Sequence, residues 1–261
     1  MITSRKIETR AATINVLEGG EGPDLLFLHS AGGISADNPF LQALAKSYRV
    51  YAPQLPGYGD SSDSDNIHDM LEVTLHSFDV LEKLGLNKPL LLGHSLGGMI
   101  AAEMAAIAPN DIDRMALICP AGLWLDDHPV PDIFTLLPRE FPEYMFHDAD
   151  AGRAMMAAGQ GGNMNDPAFL IPFLVNNARQ LGMAGKFLFP IPERGLKERA
   201  YRIKARTLLI WGASDKLFPA PYAHAWKDTI AGAELVIIPE AGHMVPVEKM
   251  DATLAAIARL R

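Results

Sequence analysis

One cysteine, Cys119, in 261 residues excludes an intrachain disulfide, so this fold does not depend on an oxidising compartment. No apolar run approaches the roughly 20 residues that a membrane helix needs. The opening stretch, MITSRKIETR, lacks the apolar core of a signal peptide, and a cytoplasmic location is expected. Positive charge is in the minority. Lys and Arg number 23 against 31 Asp and Glu, a formal charge of −8, which argues against nucleic acid or an anionic membrane as partner. The histidines and acids show neither HExxH nor any paired ligand spacing, so no metal is expected. SAGG (30–33), the glycine-rich segment after the first buried run, lacks the GxGxxG spacing of a dinucleotide site and the lysine of a P-loop. No cofactor is expected. Repeats, low-complexity tracts and charge blocks are likewise missing.

Short apolar runs, each followed by a turn and a helical pattern, recur along the chain. They are Leu25–Leu28, Tyr48–Ala52, Leu90–Leu92, Met115–Cys119, Thr207–Trp211 and Leu235–Ile238. Near-continuous apolar strands are strands covered on both faces, the mark of a parallel sheet. Residues 6–18 alternate loosely and read as an antiparallel hairpin at the sheet edge. Helical patterns cover 68–84, 96–108, 220–231 and 248–260. In the first, Leu71, Leu75, Phe78 and Leu81 form one stripe, with Gly85 past the end as a C-terminal cap. The length fits one domain with an insertion or two small ones. Strand and helix in alternation predict a doubly wound α/β sheet.

That alternation breaks over 121–204, a stretch rich in Pro, Met, Phe and Gly. It reads as several short helices separated by prolines at 129, 131, 138, 142 and 167. The expected organisation is a core of 1–120 and 205–261 carrying a helical cap of 121–204. A separate small domain is the alternative, but about 80 residues of short helices seldom stand alone.

At residues 90–98, LLLGHSLGG, a buried strand runs straight into a lone serine set among glycines. Gly93-x-Ser95-x-Gly97 between strand and helix predicts a tight elbow that lifts the Ser95 hydroxyl clear of the sheet. The backbone N–H of Leu96, at the positive end of the next helix, is placed to bind an oxyanion. An incidental serine in a glycine-rich turn is the plainer reading. It weakens because a serine nucleophile needs a base, and the base an orienting acid, in the order Ser, Asp or Glu, His. Asp215 follows the 207–211 run, 120 residues after Ser95, and His243 follows the last run 28 residues later. Taken singly, Asp215 could be a helix cap and His243 a loop residue. Asp126 and Asp127 stand as alternative acids. His94 is expected beneath the elbow, and His68, His76, His128, His147 and His224 in solvent.

With GHSLGG (93–98), WGASD (211–215), AGH (241–243), LPGYGDS (55–61) and HSAGG (29–33), the chain resembles the α/β-hydrolase superfamily over nearly its full length. The resemblance implies that LPGYG is a structural turn and that Ala31 N–H is the second oxyanion donor. It further implies that His29 braces its loop. Ser30 stands where the family usually has glycine. Either the loop tolerates a side chain there or its hydroxyl faces the pocket.

Similar sequences include esterases, lactonases, C–C hydrolases of ring-cleavage products, perhydrolases, dehalogenases and epoxide hydrolases. The last two use aspartate as nucleophile. The C–C hydrolases typically read Gly-Asn-Ser at the elbow and Trp after the histidine, where this chain has His94 and Met244. The expected reaction is therefore ester or lactone hydrolysis through a Ser95 acyl-enzyme. C–C bond hydrolysis, or a ligand receptor built on this fold, remains the alternative. Ser30, Met99, Trp124, Leu217 and Met244 are candidate substrate contacts. Leu123, Phe134, Leu137, Phe141, Met145, Met155, Met156, Phe169 and Phe173 are further candidate walls, and Arg139, Arg153, Arg179 and Arg194 could bind a single carboxylate. The expected partner is a small-molecule ester, with no nucleic acid or membrane. A homodimer is the candidate assembly.

Overall fold

The six apolar runs, with the expected hairpin before them, become the strands of one eight-stranded sheet. These are β1 (Thr3–Glu8), β2 (Thr13–Gly19), β3 (Asp24–Leu28), β4 (Arg49–Pro53), β5 (Leu90–His94), β6 (Arg114–Ile118), β7 (Arg206–Gly212) and β8 (Glu234–Ile238). The computed structural model describes residues 1–137, 139–159, 166–189, 191 and 195–261. Strand order is β1-β2-β4-β3-β5-β6-β7-β8. The β1–β2 hairpin and the β2–β4 pair are antiparallel, and all later pairs are parallel. The doubly wound sheet with an edge hairpin is thus the fold. Every residue of β5 is buried, as expected of a central strand with helices on both faces.

Helices α1 (Pro39–Leu44), α2 (Met70–Lys83), α3 (Leu96–Ile107), α8 (Ala220–Thr229), α9 (Val245–Glu248) and α10 (Met250–Ile257) join the strands. Between β6 and β7 lie α4 (Phe141–Met145), α5 (Ala149–Gly159), α6 (Pro167–Leu188) and α7 (Leu196–Arg199), with no strand among the described residues there. Not all of these are short. α6 runs 22 residues, started by the Asp166 side chain accepting Ala168 N–H, and it contains Pro172. Pro172 donates no backbone hydrogen bond, a local loss that the helix absorbs. α3 is buried from Leu96 to Ala106, and its glycines and alanines leave room for close neighbours. Buried Glu103 of α3 receives Arg199 of α7, with Arg199 Nε at 2.6 Å from Oε2.

The expected stripe of α2 holds at Phe78 and Leu81, which pack against the core, and fails at its first two leucines. Leu71 and Leu75 are 54% and 48% exposed, while Met70, Val73, Thr74, Ser77 and Val80 face inward. Thr74 and Ser77 donate to the carbonyls of Met70 and Val73, so their hydroxyls enter the core already paired. Hydrophobicity alone therefore misplaces part of the buried face. His76 is buried on the same side, with Nε2 3.0 Å from Thr9 Oγ1. The expected terminal helix over 248–260 is present as α10 with a closing 3-10 turn, Ala258–Leu260, and Lys249, where ψ is 56°, separates it from the short α9. At the end of α2, Gly85 adopts φ +67°, and Leu86 N–H reaches back to Leu81 O.

Candidate active site

β5 delivers the chain to Ser95, whose φ of 55° and ψ of −115° lie where residues with a side chain rarely sit. The surroundings hold it there. Ser95 N–H donates to Ile118 O at the end of β6 (2.9 Å), and its carbonyl accepts Ala121 N–H (3.1 Å). The elbow is packed to backbone contact. A Cβ on Gly93 would lie 2.4 Å from Gly97 O, and one on Gly97 only 2.0 Å from Leu28 O. Leu96 opens α3, so its N–H has no helical acceptor and is available to a ligand.

The loops after β7 and β8 lie back to back. A Cβ on Gly212 would stand 2.1 Å from Gly242 O, and this closeness brings Asp215 and His243 together. Asp215 Oδ1 accepts the N–H groups of Leu217 (2.9 Å) and Phe218 (2.8 Å), which leaves Oδ2 facing His243 Nδ1 at 2.9 Å. Both side chains are buried. A carboxylate only accepts, so the ring proton sits on Nδ1 and Nε2 keeps its lone pair for a substrate-side proton. Phe218 flanks the imidazole with ring centroids 5.4 Å apart. Asp126 is exposed and accepts the Trp124 indole N–H, and Asp127 is exposed beside it. Of the candidate acids, it is Asp215 that meets the histidine.

Two other buried histidines frame the site. His94 Nε2 donates to His243 O at 3.0 Å, and burial, reinforced by the neighbouring His243, lowers its pKa to about 3. It is a neutral prop under the base. His29 Nδ1 donates to Ser30 O (2.7 Å) and Nε2 accepts Leu55 N–H (3.0 Å), with burial lowering its pKa to about 4. The loop at 29–33 is thereby fastened to the turn at 55–59.

A cavity of about 60 Å3 opens over Ser95, and its lining also includes Ala31, Met99, Leu123, Trp124, Leu188, Leu217 and Phe218. Met99, Trp124 and Leu217, expected as substrate contacts, are thus in the lining. Ser30 and Met244 are not in the lining. The Ser30 hydroxyl turns to its own loop and accepts Gly32 N–H at 3.4 Å, while Met244 N–H is engaged with Met145 O at the start of α9. Of the further candidate walls, only Leu123 lines the cavity. Leu137, Met155 and Met156 are exposed, Phe134 packs on Phe189, and Phe169 stacks on Phe173. Arg139 is exposed, Arg153 is paired with Glu143 and Asp150, and Arg179 with Asp63. Arg194 lies outside the described residues.

Sequence reasoning missed Phe218, Ala121 and Cys119. Single donor atoms of Cys119, Asp215 and His243 lie within 4.8 Å of one another. Burial pushes the Cys119 thiol up, with Asp215 adding to the effect, so it rests as the neutral thiol. A signal was available, since Cys119 directly follows a parallel strand at the edge where the elbow and the two loops also end.

Residues 25–257 match the Alpha/beta hydrolase family. This chain is an alpha/beta hydrolase. Its relatives differ widely in substrate. It is 27% identical over 256 residues to a monoacylglycerol lipase from Xenopus laevis, covering 88% of this chain and 72% of that one. It is 26% identical over 268 residues to the 2-hydroxy-6-oxononadienedioate/2-hydroxy-6-oxononatrienedioate hydrolase of Comamonas testosteroni, covering 92% and 87%. The enol-lactonase of Burkholderia xenovorans LB400 shares the fold, with a TM-score of 0.77, 18% identity and coverage of 98% and 99%. Among the described residues, no helix of this hydrolase is long and apolar enough to cross a membrane.

Proposed function

We propose that this hydrolase cleaves a carboxylic ester or lactone with a small to medium, apolar acyl group, using Ser95 as nucleophile. Ser95 Oγ attacks the carbonyl carbon while His243 Nε2 takes the hydroxyl proton, and Asp215 steadies the imidazolium. The N–H groups of Leu96 and Ala31 receive the negative oxygen. Collapse of the tetrahedral species breaks the carbon–oxygen bond, and His243 passes its proton to the departing alkoxide. Water, deprotonated in turn by His243, attacks the acyl ester on Ser95. The acid leaves and the proton returns to Oγ.

The cavity lining carries this reading. Ser95 opens into apolar walls with no charged side chain among the described lining residues. A dioate, such as the name of the Comamonas relative specifies, would bury carboxylates there without a cation among the described lining residues. Since one water needs some 10–15 Å3 on the same scale, about 60 Å3 admits an acyl chain of roughly four to six heavy atoms. Initial rates on p-nitrophenyl acetate, butyrate and octanoate, for the native protein and Ser95→Ala, test the proposal. Butyrate should lead and the variant should be inactive. Background rates for both proteins on all three esters would refute it.

A further inference from the structure

The main chain around His243 is held at three consecutive points by three different parts of the fold. On one side Gly242 N–H donates to Glu248 Oε2 at 2.7 Å. In the middle His243 O accepts His94 Nε2–H at 3.0 Å. On the other side Met244 N–H donates to Met145 O, also at 3.0 Å. Met145 ends α4, so the last of these bonds comes from the segment inserted between β6 and β7.

Glu248 makes a second bond. Its Oε1 accepts His147 N–H at 2.7 Å, so one carboxylate joins the inserted segment to the loop of the base. The two segments approach to backbone contact as well. A Cβ on Gly242 would meet Met145 O and Phe146 C at 2.7 Å and His147 N at 2.8 Å. Buried Phe146 seats the segment from its other side, against Gly152 of α5. His147 Nδ1 lies 2.8 Å from Ser214 Oγ, one residue before Asp215, so the same segment touches the acid's loop too.

We propose that Glu248 is a positioning residue for His243, bridging the Gly242 and His147 amides so that the inserted helices must be seated for the base to stand correctly between Asp215 and Ser95. This rests on the serine-hydrolase reading above. A backbone N–H without its acceptor favours water or another conformer, and a base displaced by about 1 Å loses on the order of 100-fold in rate. Neither Glu248, Gly242 nor His147 lines the cavity, so the effect should fall on turnover and spare binding.

The test compares the native protein with Glu248→Ala, Glu248→Gln and Lys249→Ala, the last removing an exposed ion pair to Glu240 nearby. Each is assayed on p-nitrophenyl butyrate, for the rate at which a fluorophosphonate labels Ser95, and for amide exchange at Gly242 and His147. In Glu248→Ala, kcat and labelling should fall roughly 10- to 100-fold with KM within about twofold, and both amides should lose protection. Glu248→Gln keeps one acceptor and should lie between. Lys249→Ala should match the native protein. If Glu248→Ala does not fold, Glu248→Gln carries the comparison. The proposal is overturned if a folded Glu248 variant keeps native kcat and labelling, or if the whole loss appears in KM. A native protein that the fluorophosphonate does not label overturns the serine-hydrolase reading, and the positioning role with it.

Discussion

Replacing Gly97 by alanine adds one methyl group, and the structure states what it meets. The new Cβ would lie 2.0 Å from Leu28 O, 2.3 Å from Leu28 C and 2.6 Å from His29 O. All three are backbone atoms, so no side chain can turn away. Ordinary contact begins near 3.4 Å, and α3 must therefore retreat from the end of β3 by over 1 Å. Alanine favours a helix over glycine by about 1 kcal/mol. Overpacking of this kind costs about 1–3 kcal/mol and more against backbone, so the steric term wins. For a chain of this size the melting temperature should fall by about 3–10 °C. Function should suffer more than stability. The retreat separates Leu96 N–H from Ala31 N–H, and losing one oxyanion donor typically costs 100- to 1,000-fold in kcat. Gly182 of α6 supplies the control, since a Cβ there meets nothing within 4 Å. Gly182→Ala should raise stability by about 0.5–1 kcal/mol with unchanged turnover. Thermal melts and p-nitrophenyl butyrate kinetics on both variants read the result. A Gly97→Ala protein as stable and active as the native one would refute the argument.

Asp215→Asn should lower kcat by about 10,000-fold with little change in KM, because an amide N–H facing Nδ1 favours the tautomer that protonates Nε2; a loss under tenfold would remove Asp215 from its role. Tyr222→Phe deletes the hydroxyl that donates to His128 O (2.8 Å) and accepts Leu125 N–H (3.1 Å), thereby pinning the loop of Trp124. KM for butyrate should rise several-fold and stability fall by about 1–2 kcal/mol, and an unchanged KM would count against a wall held by Tyr222. Burial lowers His29 and His76 to about 4 and His94 to about 3, whereas the unfolded chain protonates them near 6.5. The unfolded state then binds more protons, so stability is full above pH 6.5 and drains as pH falls towards 4, by on the order of 3 kcal/mol per group. His76→Gln should flatten the fall in melting temperature between pH 7.5 and 5, and an unaltered slope would show that His76 is not responsible.

The central parallel strands were legible because each is a nearly continuous apolar run, a pattern that needs no knowledge of neighbours, and the edge hairpin because residues 6–18 alternate. Ser95, Asp215 and His243 were legible because the elbow demands glycine at fixed offsets and each partner directly follows a strand. The cavity was not. Whether Phe134 faces substrate or Phe189 depends on how the helices after β6 pack, and periodicity does not carry that information. Ala121 and Phe218 reach the cavity through their closeness to Ser95 and Asp215, a position rather than a residue type. His94 finds its acceptor on a backbone carbonyl 149 residues away, a contact that leaves no mark in side-chain identity. The inward face of α2 was misjudged because paired hydroxyls can be buried where exposed leucines are not.

The support of Ser95 by Ile118 O gives the molecule an order of assembly. The unusual φ of Ser95 is held from β6, and His243, the base of the proposed reaction, comes with the loop after β8. On the reaction proposed above, recovery of turnover on refolding should trail the recovery of helix signal, reporting the closing of the sheet's far edge.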